Sequence, residues 1–271
     1  MTFCFDIIYI LVYYGMTKRL KPGESYRDRM REREFIQSCR ALGLSVMTTS
    51  DLARIAGVEG RSLNMFLHRL QKRGAIERLE RGKYYLAESP LESLSSSIVS
   101  PSYISFLYAL SLHHLTTQIP RQIVIVSLRS RTGVGLEGYH IEFMKMKKGR
   151  FFGMERKRAG GRYFAAVATA EKAILDSLAY PSYCPTAEAA RAISTGLDEG
   201  ALKMDLLVDM TKRFGSRVAA KRLGYLAGLY GVDLFGRLGS MVSSRYDLLN
   251  PGLPSKGARN ARWHLNVNEE A

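Results

Sequence analysis

The sequence predicts an α+β protein, with an N-terminal winged helix-turn-helix domain followed by a mixed α+β domain that has a helical end. Three helical apolar patterns and a short hairpin pattern come first, between residues 26 and 86. Short strand-like runs and then further helical patterns fill the chain beyond residue 100. A composition of 46% hydrophobic and 24% charged residues is typical of a globular chain and excludes a wholly disordered or collagen-like one.

Two helices are predicted at the start of the first domain. We expect the first over residues 26–42, where the apolar residues lie loosely on one face and Gly43 then ends the helix. Its apolar residues are Met30, Phe35, Ile36 and Leu42. The second is short: Thr49 or Ser50 is its expected N-cap, and Gly57 turns the chain after it. Its inward positions are Leu52, Ala53 and Ala56, and Val58 re-enters the core after the turn.

A third helix is predicted over residues 61–73, with Gly74 closing it. Leu63, Phe66, Leu67 and Leu70 follow the i, i+3, i+4, i+7 spacing of a buried stripe. The order Ala53, Gly57, Leu63 fits a helix-turn-helix: a small residue lets two helices cross closely, a glycine permits the left-handed turn, and an aliphatic side chain packs back.

The wing is the next predicted element. Residues 76–79 and 83–86 flank Glu80-Arg81-Gly82, which is a plausible hairpin turn. Arg81 and Lys83 are then expected at the tip, close enough to a duplex to contact its backbone or minor groove.

These elements suggest double-stranded DNA as a partner. The third helix would lie in the major groove, because polar and basic residues occupy the face opposite its apolar stripe. The candidate DNA-binding residues are Ser50, Arg54, Arg61, Ser62, Asn64, Met65, His68, Arg69, Lys72, Arg73, Arg81 and Lys83. Each basic residue alone could equally be an ordinary solvated surface charge.

The charge distribution also favours a polyanionic partner. The whole chain has a formal net charge of +15, and residues 16–86 contain 16 Lys or Arg against 8 Asp or Glu. Nucleic acid is a better candidate than a membrane surface, although a merely soluble basic surface is the alternative.

Residues 1–25 are interpreted as an N-terminal extension to a cytoplasmic protein. The apolar run 3–14 is too short to cross a bilayer, and its positive charges follow it, whereas a secretory signal has them in front. Residues 1–15 could be an upstream-start extension or a strand that packs on a partner. Cys4, Cys39 and Cys184 fit neither a disulfide framework nor a zinc site.

Residues 26–90 are assigned to the DNA-binding domain and residues 100–271 to the α+β domain. A linker or loose connection is expected between residues 87 and 102, where Ser95, Ser96 and Ser97 stand in a row. The second domain is predicted to begin with an amphipathic helix over residues 102–115. Strands are expected over 122–128, 139–146 and 163–168, and helices over 170–180, 186–195, 200–213 and 216–231.

No catalytic constellation stands out, and we expect neither an enzyme nor a cofactor. Gly133–Gly138 spells G-x-G-x-x-G, but an alternating run follows it where a dinucleotide site needs a helix, so a β-hairpin loop is the better interpretation. No nucleophile elbow or P-loop is present.

Isolated polar residues offer no metal site either. His113 and His114 are adjacent, so on a helix they point about 100° apart and cannot share one ion. His140 and His264 have no partner at ligand spacing, and Asp205 with Asp209 fits the polar side of a helix.

A second basic cluster surrounds Phe151-Phe152-Gly153. It is either a solvated hairpin or an auxiliary surface for the DNA backbone or an acidic partner, and the sequence leaves both open. Its members are Lys145, Lys147, Lys148, Arg150, Arg156, Lys157 and Arg158.

The order of several short motifs resembles the AbiEi family of antitoxins and transcriptional regulators. The resemblance spans about residues 30–268, and its most specific part is the Glu-Lys-Ala-Ile-Leu-Asp run at 171–176. The motifs are Arg-Gly-Lys-Tyr-Tyr-Leu at 81–86, Tyr103-Ile-Ser-Phe-Leu-Tyr-Ala-Leu110 with His113 and Gln118 after it, Phe152-Gly153, Ala168-Thr-Ala-Glu-Lys-Ala-Ile-Leu-Asp176, and Arg262-Trp-His-Leu-Asn-Val-Asn268.

The resemblance implies a regulator of an abortive-infection, type IV toxin-antitoxin system that serves viral defence. Such proteins repress their own promoter by binding inverted repeats through the winged helix, and a dimer on the DNA is expected. The C-terminal domain has the antitoxin activity against a nucleotidyltransferase toxin, which it need not touch. The alternative is a protein-interaction module that neutralises a toxin directly without binding DNA. Glu171, Lys172 and Asp176 match the family signature, and we interpret them as structural, with Thr169 capping their helix.

Overall fold

The computed structural model describes residues 32–269, and the fold is mixed α+β, as the sequence predicts. The chain divides into two compact units. The first contains the described residues up to Leu94 together with Arg158–Tyr163, and the second contains Ser95–Lys157 and the residues from Phe164 onward. The predicted extension 1–25 and the start of the first predicted helix, including Met30, lie outside the described residues.

The first unit combines helices with a three-stranded antiparallel sheet of order β1-β3-β2. In chain order its elements are α1 (Glu32–Leu42), β1 (Met47–Thr48), α2 (Thr49–Ala56), α3 (Gly60–Lys72), β2 (Ile76–Glu80) and β3 (Lys83–Leu86). The helix α4 (Leu91–Ser97) follows. The three helices and the β2–β3 hairpin therefore occur where the sequence predicts them, with small differences at their ends.

The core of the first unit is formed by the residues predicted to face inward. Leu63, Phe66, Leu67 and Leu70 are all buried, and so are Leu52, Ala56 and Val58. The rings of Phe35 and Phe66 meet edge to face, with their centroids 4.8 Å apart, so α1 packs directly on α3. Gly57 has a φ of 65°, which explains why glycine stands at the turn between α2 and α3.

Two local predictions in this region were wrong. The N-cap of α2 is Thr48, not Thr49 or Ser50: its hydroxyl accepts a hydrogen bond from the Asp51 amide, and the Asp51 carboxylate accepts one from the Thr48 amide. The expected linker, residues 87–102, contains a helix, α4, which buries Ser93, Leu94 and Ser95. Serines are poor helix formers, and here burial and a hydrogen bond between Ser93 and Ser45 offset that preference.

The second unit contains most of a six-stranded mixed sheet of order β6-β7-β5-β4-β9-β8. Its strands are β4 (Ser102–Ser105), β5 (Gln122–Ser127), β6 (Val134–Leu136), β7 (Tyr139–Lys145), β8 (Met154–Gly160) and β9 (Tyr163–Ala168). The three predicted strands correspond to β5, β7 and β9.

The helix predicted over 102–115 was wrong in its first turn. Residues 102–105 form β4, which pairs antiparallel with β5 and parallel with β9, and only Phe106–Leu112 is helical (α5). All four residues of β4 are buried. A short run of apolar residues fits a buried strand as well as a buried helix. Here backbone pairing with a neighbouring strand on each side makes residues 102–105 a strand.

The helical end consists of α6 (Ala170–Ala179), α7 (Thr186–Asp198), α8 (Met204–Phe214), α9 (Arg217–Leu229) and the short α10 (Phe235–Leu238). The first four match the predicted helices. A small sheet that the sequence did not predict closes the chain, with order β10-β12-β11. Its strands are β10 (Asp247–Leu248), β11 (Ala258–Asn260) and β12 (Leu265–Val267). Within residues 32–269 no helix is long and apolar enough to span a membrane.

Candidate nucleic-acid interface

Helix α3 separates its side chains into a buried face and an exposed polar face. Leu63 is 2% exposed and Leu70 is fully buried, whereas Met65 is 62% exposed. The predicted contact residues of this helix are all exposed: Arg61, Ser62, Asn64, Met65, His68, Arg69 and Lys72. An exposed face of hydrogen-bond donors and cations, with Met65 among them, is what a groove-reading helix has to present.

Two predicted residues lie on the preceding helix. Ser50 and Arg54 are exposed on α2, one turn apart. Neither Arg54 nor Arg61 nor Lys72 forms an ion pair with another residue in the part of the chain that the structure describes. Their charges are therefore available to phosphate groups.

Other predicted cations already have protein partners. Arg73 forms an ion pair with Glu32, and Lys83 Nζ lies 2.8 Å from a Glu80 carboxylate oxygen. The Arg69 guanidinium lies 6.0 Å from the centre of the Phe66 ring. The cations of these pairs lie at or near the surface, where such contacts contribute about 1 kcal/mol or less, so a phosphate could compete for them.

The β2–β3 turn is held in place by the first turn of α2. The Thr49 amide and hydroxyl both donate to the carbonyl oxygen of Gly82, at 2.9 and 3.2 Å. Gly82 has a φ of 78°, a conformation that favours glycine. Arg81 is exposed at this turn. The Thr48–Asp51 capping box and the Thr49 anchor were missed as positioning residues, although the T-x-x-D pattern in the sequence signals the former.

The second basic cluster consists of residues in different environments. Lys145, Lys147 and Lys148 are exposed. Arg150 donates to the Phe214 carbonyl at 2.9 Å and the Tyr180 hydroxyl at 3.1 Å. Its guanidinium carbon also lies 4.6 Å from the centre of the Phe214 ring, so Arg150 joins α8 to the loop before β8.

The strand β8 holds the remaining members of this cluster. Lys157 donates to the Leu112 carbonyl at 2.6 Å, and Arg156 lies over the Phe164 ring at 3.9 Å. Arg158 is exposed and its guanidinium lies 3.3 Å from the Gly161 carbonyl oxygen. Arg150, Arg156 and Lys157 therefore contribute contacts to the fold, whereas Lys145, Lys147 and Lys148 are exposed.

The family-signature residues at the start of α6 are buried. Thr169 is the N-cap of this helix, as expected, and its hydroxyl accepts from the Lys172 amide at 3.3 Å. Glu171 accepts a hydrogen bond from the Lys203 amide at 3.1 Å. Lys172 and Asp176, one turn apart, form an ion pair in which both side chains are fully buried.

Hydroxyl groups and aromatic rings surround this ion pair. Asp176 accepts from Ser105 at 2.8 Å and from the Tyr103 hydroxyl at 3.2 Å. Lys172 Nζ lies between 4.9 and 5.4 Å from the ring centres of Tyr103, Phe152 and Phe214. Burial lowers the pKa of Lys172 and raises that of Asp176, because each charged form loses its water.

The isolated motifs have ordinary structural roles. The third glycine of Gly133–Gly138 precedes strand β7, which pairs with β6 as a hairpin, so the segment has no helix N-terminus to hold a pyrophosphate. His113 contacts the Ala168 carbonyl at 2.7 Å, and His264 the Ser243 carbonyl at 2.8 Å. Asp205 is paired with Arg237. Residues 32–269 contain no group of three or more His, Cys, Asp or Glu residues arranged to hold a metal ion.

A family comparison agrees with the resemblance seen in the sequence. Residues 34–87 match the family model described as transcriptional regulator, AbiEi antitoxin. The match covers α1 to β3, the elements that carry the exposed face of α3. It indicates a regulatory role, as an antitoxin or a transcriptional regulator. No curated protein matches the chain.

Proposed function

We propose that the protein is a sequence-specific DNA-binding transcriptional repressor whose residues 26–90 form a winged helix-turn-helix domain. The observation that carries this proposal is the exposed face of α3, opposite the buried stripe of Leu63, Phe66, Leu67 and Leu70. A helix buried on one side against two others and polar on the other side can enter the major groove, which is about 12 Å wide.

Base reading is assigned to α3. Arg61 can bind a guanine edge, Asn64 an adenine edge, and the exposed Met65 side chain can pack on a thymine methyl group. Phosphate contacts are assigned to Arg54, Lys72, Arg73, Arg81 and Lys83, because they lie toward the ends of helices or at the hairpin. Ser50, Ser62, His68 and Arg69 complete the proposed interface.

The hairpin β2–β3 is proposed as the wing. Its turn is anchored to α2 through Thr49 and Gly82, which supports a fixed position for Arg81 relative to the helices. An anchored turn loses little conformational freedom on binding, so contacts from its tip would add to affinity at low entropic cost.

The family match supports a role as a transcriptional regulator or antitoxin, and our proposal for the biological role is more specific than that. We propose that the protein represses its own promoter at an inverted repeat, as a pair of copies, in the cytoplasm. We further propose that residues 100–271 are an antitoxin domain of a type IV system with a nucleotidyltransferase toxin, acting in abortive infection against viruses. Lys145, Lys147, Lys148 and Arg158 remain candidates for an auxiliary contact with the DNA backbone.

Binding of the full-length protein to its own upstream DNA tests the proposal. Fluorescence anisotropy should show a salt-sensitive complex that is tighter on this DNA than on a scrambled duplex. Arg61→Ala or Asn64→Ala should remove about 1–3 kcal/mol of that preference per lost base contact while leaving the scrambled duplex nearly unaffected. Lys72→Ala should weaken both duplexes alike and lower the salt slope by about 1.

Arg33→Ala is the matched control, because it removes an exposed positive charge from α1, outside the proposed contact face. Equal losses on specific and scrambled DNA for Arg61→Ala and Asn64→Ala would show that α3 does not read bases. A complete lack of salt-sensitive binding would favour the protein-interaction module that neutralises a toxin directly.

A further inference from the structure

The small sheet at the end of the second unit has two chemically different faces. Side chains alternate along a strand, and β12 is the middle strand of this sheet. Leu265 points to the inner face and is fully buried, with Trp263 buried on the same side. Asp247, its partner on β10, is also directed inward, since it accepts a hydrogen bond from the buried Lys221 at 2.8 Å.

The opposite face brings basic and aromatic side chains together. Tyr246 and His264 each precede an inward residue by one position, and their rings lie 5.2 Å apart. Arg259 stands opposite Asn266 in the β11–β12 pairing, and its guanidinium carbon lies 5.2 Å from the centre of the Tyr246 ring. We define the C-terminal patch as Tyr246, Arg259 and His264, together with Arg245 and Lys256, two exposed cations close to them in the sequence.

The charge of this region is almost entirely positive. Residues 243–268 contain four Lys or Arg, of which Arg262 is paired with Asp233, and a single acidic residue, Asp247, whose carboxylate is bound on the inner face by Lys221. The Arg245 side chain is 86% exposed, and every residue from 251 to 259 is exposed. Arg245 Nε lies 3.8 Å from a carboxylate oxygen of Asp247, which is too long for a hydrogen bond, so this pair contributes little.

The aromatic side chains determine which polyanion fits this surface. Tyr246 is 37% exposed, and its ring has a cation on one side and the His264 ring beside it. A flat ring with adjacent cations can stack on a base and hold the neighbouring phosphates. Bases in a duplex are already stacked on one another, so this arrangement suits a strand whose bases are unpaired. An acidic peptide would meet the charges but would make no use of the rings.

The middle strand has one further polar side chain, that of Asn266. Asn266 donates through its Nδ2 to the Ser255 carbonyl at 2.8 Å, whereas its Oδ1 has no hydrogen-bond donor among the described residues. That oxygen is buried, so it does not belong to the exposed surface of the patch.

We propose that the C-terminal patch binds single-stranded nucleic acid, with one base stacked on Tyr246 and the backbone held by Arg245, Lys256 and Arg259. This site is separate from the duplex-reading face of α3 and does not depend on it. RNA and single-stranded DNA share the recognised chemistry, and the experiment below compares them.

The test uses the full-length protein and labelled oligothymidylate and oligouridylate strands of about 12 nucleotides, a length within the range bound by single-strand proteins. Fluorescence anisotropy should show salt-sensitive binding of at least one strand, and the tighter of the two identifies the preferred sugar. Tyr246→Ala should weaken this binding about 10-fold, the effect expected from losing one stacked base, while Tyr246→Phe should retain it. Arg259→Ala should lower both the affinity and its salt dependence.

Controls separate this proposal from duplex binding. Arg217→Ala removes an exposed charge from the start of α9 and should leave strand affinity nearly unchanged. Arg61→Ala should leave strand binding intact, and Tyr246→Ala should leave binding to the upstream duplex intact. The proposal is overturned if neither strand binds, if Tyr246→Ala binds them like the unaltered protein, or if it weakens duplex and strand equally. Displacement of the strand by oligoglutamate in a Tyr246-dependent manner would overturn it too, in favour of an acidic protein partner.

Discussion

Lys172 and Asp176 form a buried ion pair in which each charge depends on the other. Both side chains are fully buried, and the surrounding groups satisfy each charge: two hydroxyls for the carboxylate, three aromatic rings and a hydroxyl oxygen for the ammonium. Removing water from two charges is costly, and their attraction offsets that cost only while both are present.

We therefore expect a strong asymmetry between single and double substitutions at this pair. Lys172→Met leaves a buried carboxylate without its cation and should lower the free energy of unfolding by about 3–5 kcal/mol. Combining it with Asp176→Leu removes the second charge and should recover much of that loss. Urea denaturation of the three variants measures the coupling. Additive losses in the double variant would contradict the interpretation of the pair as one buried unit.

The sequence could not reveal that this pair is buried, because spacing does not report burial. A Lys and an Asp at i, i+4 fit an exposed helix face as well as a buried one. The rings that enclose Lys172 come from residues 103, 152 and 214, far apart in the chain. By contrast, the inward residues of α3 were predictable, because a period of 3.6 is a local property of the sequence.

At the scale of elements, prediction succeeded for long periodic segments and failed for short non-local ones. The helices α6 to α9 were predicted because each spans at least 10 residues with its own start and stop signals. The strands β10, β11 and β12 contain only two or three residues each and are defined by their partners. The C-terminal patch depends on that sheet, so no sequence pattern indicated it.

Helix α9 provides an element-scale prediction, because its two interior glycines have opposite surroundings. A Cβ at Gly224 would overlap the ring of Trp263, whereas one at Gly228 would have no atom within 4 Å. Gly224→Ala should therefore push Trp263 away from α9 and destabilise the unit by at least about 1–3 kcal/mol, as overpacking does. Gly228→Ala should stabilise it by up to about 1 kcal/mol through helix propensity alone.

Trp263 is the only tryptophan of the chain, so its fluorescence reports on this contact directly. The buried indole should emit at shorter wavelength in the unaltered protein and in Gly228→Ala than in Gly224→Ala. Thermal unfolding followed at the same wavelength gives the order of stability. An unshifted emission and an unchanged midpoint for Gly224→Ala would show that Trp263 does not pack on this glycine in solution.

For the whole molecule, net charge and symmetry make separate contributions to the proposed DNA binding. The formal charge of +15 supplies attraction that is independent of sequence and falls as salt is added. Specific repression needs more, because one α3 helix reads only a few base pairs. Two copies on an inverted repeat double the number of base contacts, which is why we propose binding as a pair.

The spacing of the two half-sites tests this pairing. If two copies contact each other on the DNA, inserting about 5 base pairs at the centre of the repeat rotates one half-site by half a helical turn and separates the copies. Affinity should then fall toward that of a single half-site, and an insertion of about 10 base pairs should recover part of it, because both half-sites again face the same side. Sedimentation velocity on labelled duplexes gives the number of copies bound in each case. Two copies bound with the same affinity at every spacing would mean that each reads its half-site independently, and the assignment of a DNA-bound dimer would then be wrong.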